Sequence, residues 1–399
     1  MTAHPLSVGF RGVLAAWIAW RANLEKPGIR WTPPFDAVTG CGHPTMRDLL
    51  YPDTRPGVNQ RSDADLIDDI ERLAPHLVRP VRLVDLAAAK PSFLKRFIGG
   101  GRSNSENIDL TNHQAGRPLA VREAAAQLVR CMSIDSSRLC VVLARDFIAR
   151  GGDLQIDRTA SADDVPLTGS TSPDAFAPSV AVVTRRTFRE EFAYRLRCAD
   201  GEPLIVMPLD QDLVLVERYL GTAGTEEALE HLKETYANWF GTPLAPDVRA
   251  GPTCHDDPTD FSCIQDLRQG DSYLQDVAAR GIPPVERAGL SSDGHIGDSY
   301  GAFANTLAAN YSHLDAAYIR GLVARHGPVA PDVLGACHRD EDLGTDFGGG
   351  LRAREARWML DQEFARSAED IACRRGPFAL RGTDIGKLQD WIDRGARLR

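Results

Sequence analysis

The chain has 399 residues, 43% of them hydrophobic and 25% charged, with a formal net charge of -9 at neutral pH. That is ordinary globular composition with room for two domains. The acidic balance excludes the basic face that nucleic-acid binding requires. Eight cysteines form no C-x-x-C pair, so reduced thiols in a cytoplasmic setting are expected rather than a disulfide scaffold. Cys41-Gly-His43, Cys254-His255-Asp256-Asp257 and Cys337-His338 match no standard zinc spacing, so no metal site is expected.

The first distinctive stretch is Ser7-Val-Gly9-Phe-Arg-Gly12, followed by Val-Leu-Ala-Ala. It has the form of the glycine-rich turn of a dinucleotide-binding βαβ unit, with serine at the first glycine position. The strand before it is short, and Pro5 weakens it further because proline lacks a ladder donor. A helix is expected over 12–24. Its apolar run, Val13 to Trp20, is too short to span a bilayer and lacks a secretory cleavage site. Trp17 and Trp20 sit at i and i+3 and are expected in a core, with peripheral docking on a membrane as the alternative. The next strand of such a unit should end in an acid that takes a ribose. Here Gly28-Ile-Arg-Trp-Thr-Pro-Pro holds none before Asp36.

A helix is expected over 63–73, with Leu66, Ile67, Ile70 and Leu73 on its buried face and Pro75 ending it. Another spans about 136–149 and stops at Gly151-Gly152, with a strand over 154–156. Residues 161–178 form a Ser/Thr/Asp/Pro-rich loop. Strand-like runs follow at 180–183, 193–198, 203–207 and 212–216, with Asp200-Gly201 turning a hairpin. A helix over 225–240 comes next. From Gly301 onward helical periodicity dominates. The expected architecture is an α/β region over 1–290, then an all-helical domain over 291–399, with the break near Ser291.

The C-terminal region is the most specific. Leu322-Val-Ala-Arg-His-Gly327, Asp342-Leu-Gly344-Thr-Asp-Phe347-Gly-Gly-Gly350-Leu and Glu363-Phe-Ala365-Arg366-Ser-Ala368-Glu369-Asp370-Ile-Ala-Cys-Arg374-Arg375 form one ordered series. It closely resembles the helical C-terminal domain of FAD-dependent glycerol-3-phosphate dehydrogenases and the related α-glycerophosphate oxidases. Phe364 stands where that family usually has tryptophan. Ala74-Pro75-His76-Leu77 and Ile134-Asp135-Ser-Ser-Arg138-Leu139 are similar to the family's A-P-H-L turn and D-D-A-R-L helix. Met207-Pro208 resembles its I-P-W strand. Read on its own, the charged block at 367–375 is expected to be a solvated, self-paired helical face.

The resemblance implies a degenerate FAD-binding Rossmann-like region, a mixed-sheet substrate region and a helical cap. It also implies hydride transfer from C2 of glycerol 3-phosphate to the flavin, giving dihydroxyacetone phosphate. The motifs that serve this chemistry are altered. Met46 and Arg47-Asp48 stand for the family's histidine and two glycines. Glu217-Arg218-Tyr219-Leu220 stands for G-T-T-D, and Gly251 for an arginine. Leu267-Arg-Gln-Gly270-Asp-Ser-Tyr273 stands for the second flavin motif.

Three readings stay open. One is a catalytically silent pseudoenzyme without a retained cofactor, acting as a binding or regulatory subunit toward a protein partner or as a homo-oligomer. The second is an active FAD-dependent dehydrogenase with a divergent site. There Ser7, Gly9 and Gly12, otherwise vestigial, hold the pyrophosphate, and Arg138 or Arg249 faces the substrate phosphate. The third is a polyol-phosphate pocket without redox chemistry. No catalytic residue is assigned, and the location expected is cytoplasmic, at most peripheral to the inner membrane.

Overall fold

The computed structural model describes residues 6–8, 12–25, 28, 30–31, 49–50, 69–86, 105–121, 126–156, 165–167, 179–186, 188, 191–208, 213–219, 225–244, 249–250 and 296–397. Two sheets and a helical C-terminal region make up the fold. The smaller sheet is parallel, with order β7-β2-β1-β8: Asp153–Leu154, Arg30–Trp31, Leu6–Val8 and Val165–Leu167. The short first strand therefore forms, correcting the sequence expectation. All three of its residues pair with β8 and two of them, Ser7 and Val8, also with β2, so two parallel neighbours replace the length it lacks.

Helix α1 (Gly12–Glu25) follows β1 and packs against α2 (Ser136–Ala149). Their shared core holds Trp17, Trp20, Trp31, Leu139, Leu143 and Phe147, with Ile70 and Leu77 from the intervening chain. The two helix tryptophans are in the core, as their spacing suggests. Trp17 Nε1 donates to Asp69 Oδ2 at 2.7 Å and Trp20 Nε1 to Asp146 Oδ2 at 2.6 Å, so neither polar edge is left unpaired. The 63–73 helix is described from residue 69, and it ends before the Pro75–Leu77 turn.

Among the described residues the larger sheet has nine strands, ordered β13-β9-β12-β11-β10-β4-β6-β3, with β5 also on β6. They are β3 (Leu49–Leu50), β4 (Val78–Asp85), β5 (Ser105–Ile108), β6 (Ala126–Ile134), β9 (Ser179–Arg185), β10 (Phe192–Arg197), β11 (Pro203–Pro208), β12 (Leu213–Tyr219) and β13 (Arg249–Ala250). All pairs are antiparallel except β10 with β4. One face is covered by α3 (Thr225–Phe240), whose Ala228, Leu232, Tyr236 and Phe240 meet Val84, Tyr194, Val206 and Val214. The other face is apolar at its centre: Leu83, Cys131, Val183, Ala193, Ile205, Met207 and Leu215.

The C-terminal helices are α4 (Ile296–Asn310), α5 (Ala316–His326), α6 (Ala330–Leu334), α7 (Ala353–Gln362), α8 (Phe378–Arg381) and α9 (Ile385–Asp393). Both α4 and α5 contact the Pro75–Leu77 turn, and Leu380 of α8 joins the apolar face of the larger sheet. The boundary expected near Ser291 lies outside the described residues. No described helix is long and apolar enough to cross a membrane. The alternative of a membrane-docked Trp17 and Trp20 is not what the fold uses, since both rings are buried.

The turn from α2 into β7 is tight. A Cβ on Gly152 would lie 2.4–2.5 Å from the Phe147 ring, which is itself locked edge-on against Trp31 at 5.9 Å. The ring has nowhere to retreat, so Gly152→Ala should lower stability by about 1–3 kcal/mol in urea unfolding.

Candidate functional site

Between β1 and β8 the order of the parallel strands reverses, since the chain steps from β1 to β2 on one side and reaches β8 on the other. Such a reversal is where open α/β sheets receive ligands, at the carboxyl ends of their strands. Ser7 lies in β1, and Gly12 is the first residue of α1, whose amino end opens onto the same edge. Gly9 lies outside the described residues.

This backbone frame fits the pyrophosphate of an adenine dinucleotide. The side chains at the end of β2 do not fit its ribose. Arg30 Nε bonds Asp153 Oδ2 at 2.9 Å, and Trp31 is fully buried on Phe147, so the described end of β2 offers no carboxylate.

Arg249 is in register with Val183 on β9, which in turn pairs with Leu215. Its backbone thus borders the apolar centre of the larger sheet. The end of β12 is occupied by Glu217 and Arg218, both buried. Arg218 Nη2 donates to Asp200 Oδ2 at 2.7 Å, so the strand end is tied back to the β10–β11 hairpin turn. The altered segments around Met46, Gly251, His255 and Tyr273 lie outside the described residues.

Arg138 sits elsewhere than an exposed phosphate site would need. It is 2% exposed, in the first turn of α2, and Asp135 caps that helix by accepting from its backbone N at 3.0 Å. Its guanidinium enters the helical region. Nη1 and Nη2 engage the two carboxylate oxygens of Glu363, the latter at 2.7 Å. Nε donates to Arg325 O at 3.0 Å, and Nη2 is 2.9 Å from His326 Nδ1. Arg138, expected to face a substrate phosphate, engages partners inside the chain with Nε, Nη1 and Nη2 alike.

A second pair adjoins the first. Arg325 Nε and Nη2 bind the two oxygens of Glu355 at 2.7 and 2.9 Å, and His326 Nε2 is 2.9 Å from the same carboxylate. His326 thus lies between the two carboxylates, with Nε2 toward Glu355 and Nδ1 toward both Arg138 Nη2 and Glu363 Oε1, the latter at 3.1 Å. Glu355, Glu363 and His326 are all buried. Burial opposes the charged form of Glu355, yet Arg325 and His326 outweigh it and lower its carboxyl to about 2. Glu363 is held well below the usual carboxylate range because Arg138 and His326 overcome its burial.

The charged block at 367–375 is self-paired only in part. Asp370 and Arg374 form the expected i, i+4 pair at 3.8 Å. The segment is a π-helical turn (Asp370–Arg374), however, and Asp370 and Arg375 are buried. It faces α2, where Ser137 Oγ donates to Arg374 O. Phe364 has φ of 62° and packs on the core between α1 and α2.

Arg325, His326 and Glu363 stand within the runs that resemble the family, which assign them no role, and Glu355 lies outside those runs. Glu355 carried one signal, being an acid beside the buried stripe Ala353, Ala356 and Met359. Among the described residues no cluster of His, Cys, Asp and Glu has the makings of a metal site.

His76 lies against this cluster. Its ring meets Gly327 so closely that a Cβ there would be 2.5 Å away, and Gly327 has φ of 55°. Both ring nitrogens are shut off from solvent. Burial, then the charges of Arg138, His326 and Arg79, push its pKa from 6.5 to about 3. The unfolded chain thus binds this proton from pH 6.5 downward, whereas the folded chain resists it until about 3. Stability should fall as pH drops through that window, by up to about 1.4 kcal/mol per pH unit. Urea unfolding from pH 7 to 5 should show the decline, and His76→Gln should flatten it.

No family model matches the chain. A stretch of 96 residues, 24% of the chain, is 31% identical to D-erythritol 1-phosphate dehydrogenase of Brucella abortus, covering 19% of that protein. A stretch of 79 residues, 20% of the chain, is 34% identical to glycerol-3-phosphate dehydrogenase of Pseudomonas aeruginosa and covers 15% of it. The matched stretches thus span less than a fifth of either relative's length. The solved structure of glycerol-3-phosphate dehydrogenase from Bacillus halodurans, complexed with FAD, superposes with a TM-score of 0.64 at 14% identity. That superposition covers 98% of this chain and 89% of the other. The chain therefore has the fold of the FAD-bound glycerol-3-phosphate dehydrogenase.

Proposed function

We propose that the chain is a flavin-free relative of the glycerol-3-phosphate dehydrogenases, retained as a binding or regulatory subunit of the cytoplasm rather than as a hydride-transfer enzyme. The observation that carries this reading is the end of β12. There the family resemblance calls for a G-T-T-D run, and this chain buries Glu217 and Arg218, with Arg218 bonded to Asp200. Arg30 and Trp31 at the end of β2 support it in the same way, being committed to Asp153 and Phe147. Contacts that assemble the body are kept, while positions that would meet a cofactor carry side chains turned to internal bonds.

One observation favours a second reading, an active dehydrogenase with a divergent site. The β2-β1-β8 reversal and the start of α1 at Gly12 retain the frame for a pyrophosphate. Under that reading Ser7, Gly9 and Gly12 hold FAD, and Arg249 is the remaining cation for the substrate phosphate.

The absorption spectrum of the purified chain, with mass analysis after denaturation, separates them. The proposal expects no flavin band and no released FAD; a stoichiometric yellow cofactor contradicts it. Calorimetric titration with glycerol 3-phosphate then distinguishes a protein-binding subunit, which gives no heat, from a polyol-phosphate pocket without redox chemistry.

A further inference from the structure

On the larger sheet two like charges face each other across adjacent strands. Arg82 of β4 and Arg130 of β6 are directly opposite in an antiparallel pair, and both are exposed. Side chains so placed have Cβ atoms about 4.5–5.5 Å apart, and like charges there repel. Arg82 leans toward β10, away from β6. Its Cζ lies 4.4 Å from the ring centroid of Phe192, its neighbour in register on that side. Phe192 is itself buried, and the His113 ring meets it at 65° with centroids 5.7 Å apart.

Nearby carboxylates do not answer these two cations. Asp85 is paired with Arg195 and Glu191 with Arg186, while Asp109 accepts from Thr111 N and Asn112 Nδ2. Glu106, exposed on β5, stands opposite Leu128, and among the described residues neither arginine has an ion pair. His113 adds a further donor beside them. Its Nδ1 accepts from Ala115 N at 3.1 Å, so the neutral ring carries its proton on Nε2. The turn that follows it (Gln114–Gly116) is pinned to the sheet, because the Tyr194 hydroxyl donates to Ala115 O at 3.0 Å. Donors held on a fixed sheet lose little freedom when an acceptor arrives.

We infer that Arg82 and Arg130 receive an acidic segment of a protein partner, one carboxylate on each guanidinium. Charge complementarity points there: two uncompensated guanidinia stand exposed on a chain of net charge -9, and arginine forks match carboxylates bidentately. A single pair of cations is too short a track for a nucleic-acid backbone, which needs an extended basic face. Such a partner rests on the binding-subunit reading. The surface itself lies on the sheet face opposite Leu83 and Cys131, away from the apolar centre that Arg249 borders. A flavin band in the purified chain therefore defeats that reading, whereas loss of acidic-peptide binding defeats this surface alone.

The test is fluorescence anisotropy of a labelled hexaglutamate peptide titrated with the full chain at low ionic strength. Saturable binding is expected, weakened by about tenfold in Arg82→Gln and in Arg130→Gln. Arg320→Gln, an exposed control on α5, should bind as the unaltered chain does. Because both arginines are exposed these variants should fold, and Arg130→Gln should raise the melting midpoint at low salt by removing the repulsion. Absence of saturable binding overturns the inference, as does equal binding in the two arginine variants. Inorganic phosphate that displaces the peptide as well as unlabelled hexaglutamate does, at matched ionic strength, assigns the surface to a phosphate ligand and overturns the acidic partner. A midpoint lowered in Arg130→Gln overturns it too, because that arginine is then a support of the fold.

Discussion

The ion pair between Arg138 and Glu363 is the contact on which the rest of the arrangement depends. It joins the first turn of α2 to the residue that ends α7, across 225 positions of sequence, with both groups withdrawn from water. Two buried charges hold only if each finds several partners. Here the partners define the interface: Arg325 O and His326 for the arginine, Trp358 and His326 for the carboxylate. Removing one member of such a pair typically costs about 3–5 kcal/mol, a large share of a domain's net stability. The cluster therefore sets how the helical region sits on the α/β body, and apolar contacts such as Phe364 on the α1–α2 core fill in around it.

This arrangement separates what the fold preserves from what a redox site needs. Among the described residues, the α1–α2 core, the two sheets and the charge cluster are held by contacts within the chain. The edge of the parallel sheet keeps a strand reversal and a helix start, both of which are backbone properties. Side chains decide chemistry, and at the ends of β2 and β12 they are bound inward. A fold can host many functions, so the site has to carry the assignment.

Much of the fold was legible in the sequence. The helices at Gly12–Glu25, Ser136–Ala149 and Thr225–Phe240 follow their apolar spacing and turn residues, and β9 to β12 follow their β-branched runs. Strand β4 did not read as a strand because Arg79, Pro80 and Arg82 interrupt it. Pro80 is tolerated where β6 pairs with it, because β10 joins β4 only from Arg82 onward. The burial of Arg375 and Glu355 was illegible for a different reason. Charge in a sequence reads as surface, and only partners from distant segments reverse that. Arg138 illustrates the same limit: its residue type suits a phosphate equally well, and the acceptor that claims it lies in another region of the chain.

The most direct measurement is a double-mutant cycle in which Arg138→Met, Glu363→Met and the combined variant are compared by urea unfolding, with glycerol 3-phosphate binding followed in parallel. Each single change should destabilise severely. The double variant should recover much of the loss, for a coupling of about 2 kcal/mol or more. Additive losses, together with glycerol 3-phosphate binding that disappears only when Arg138 is changed, would contradict the account and return the arginine to a ligand site.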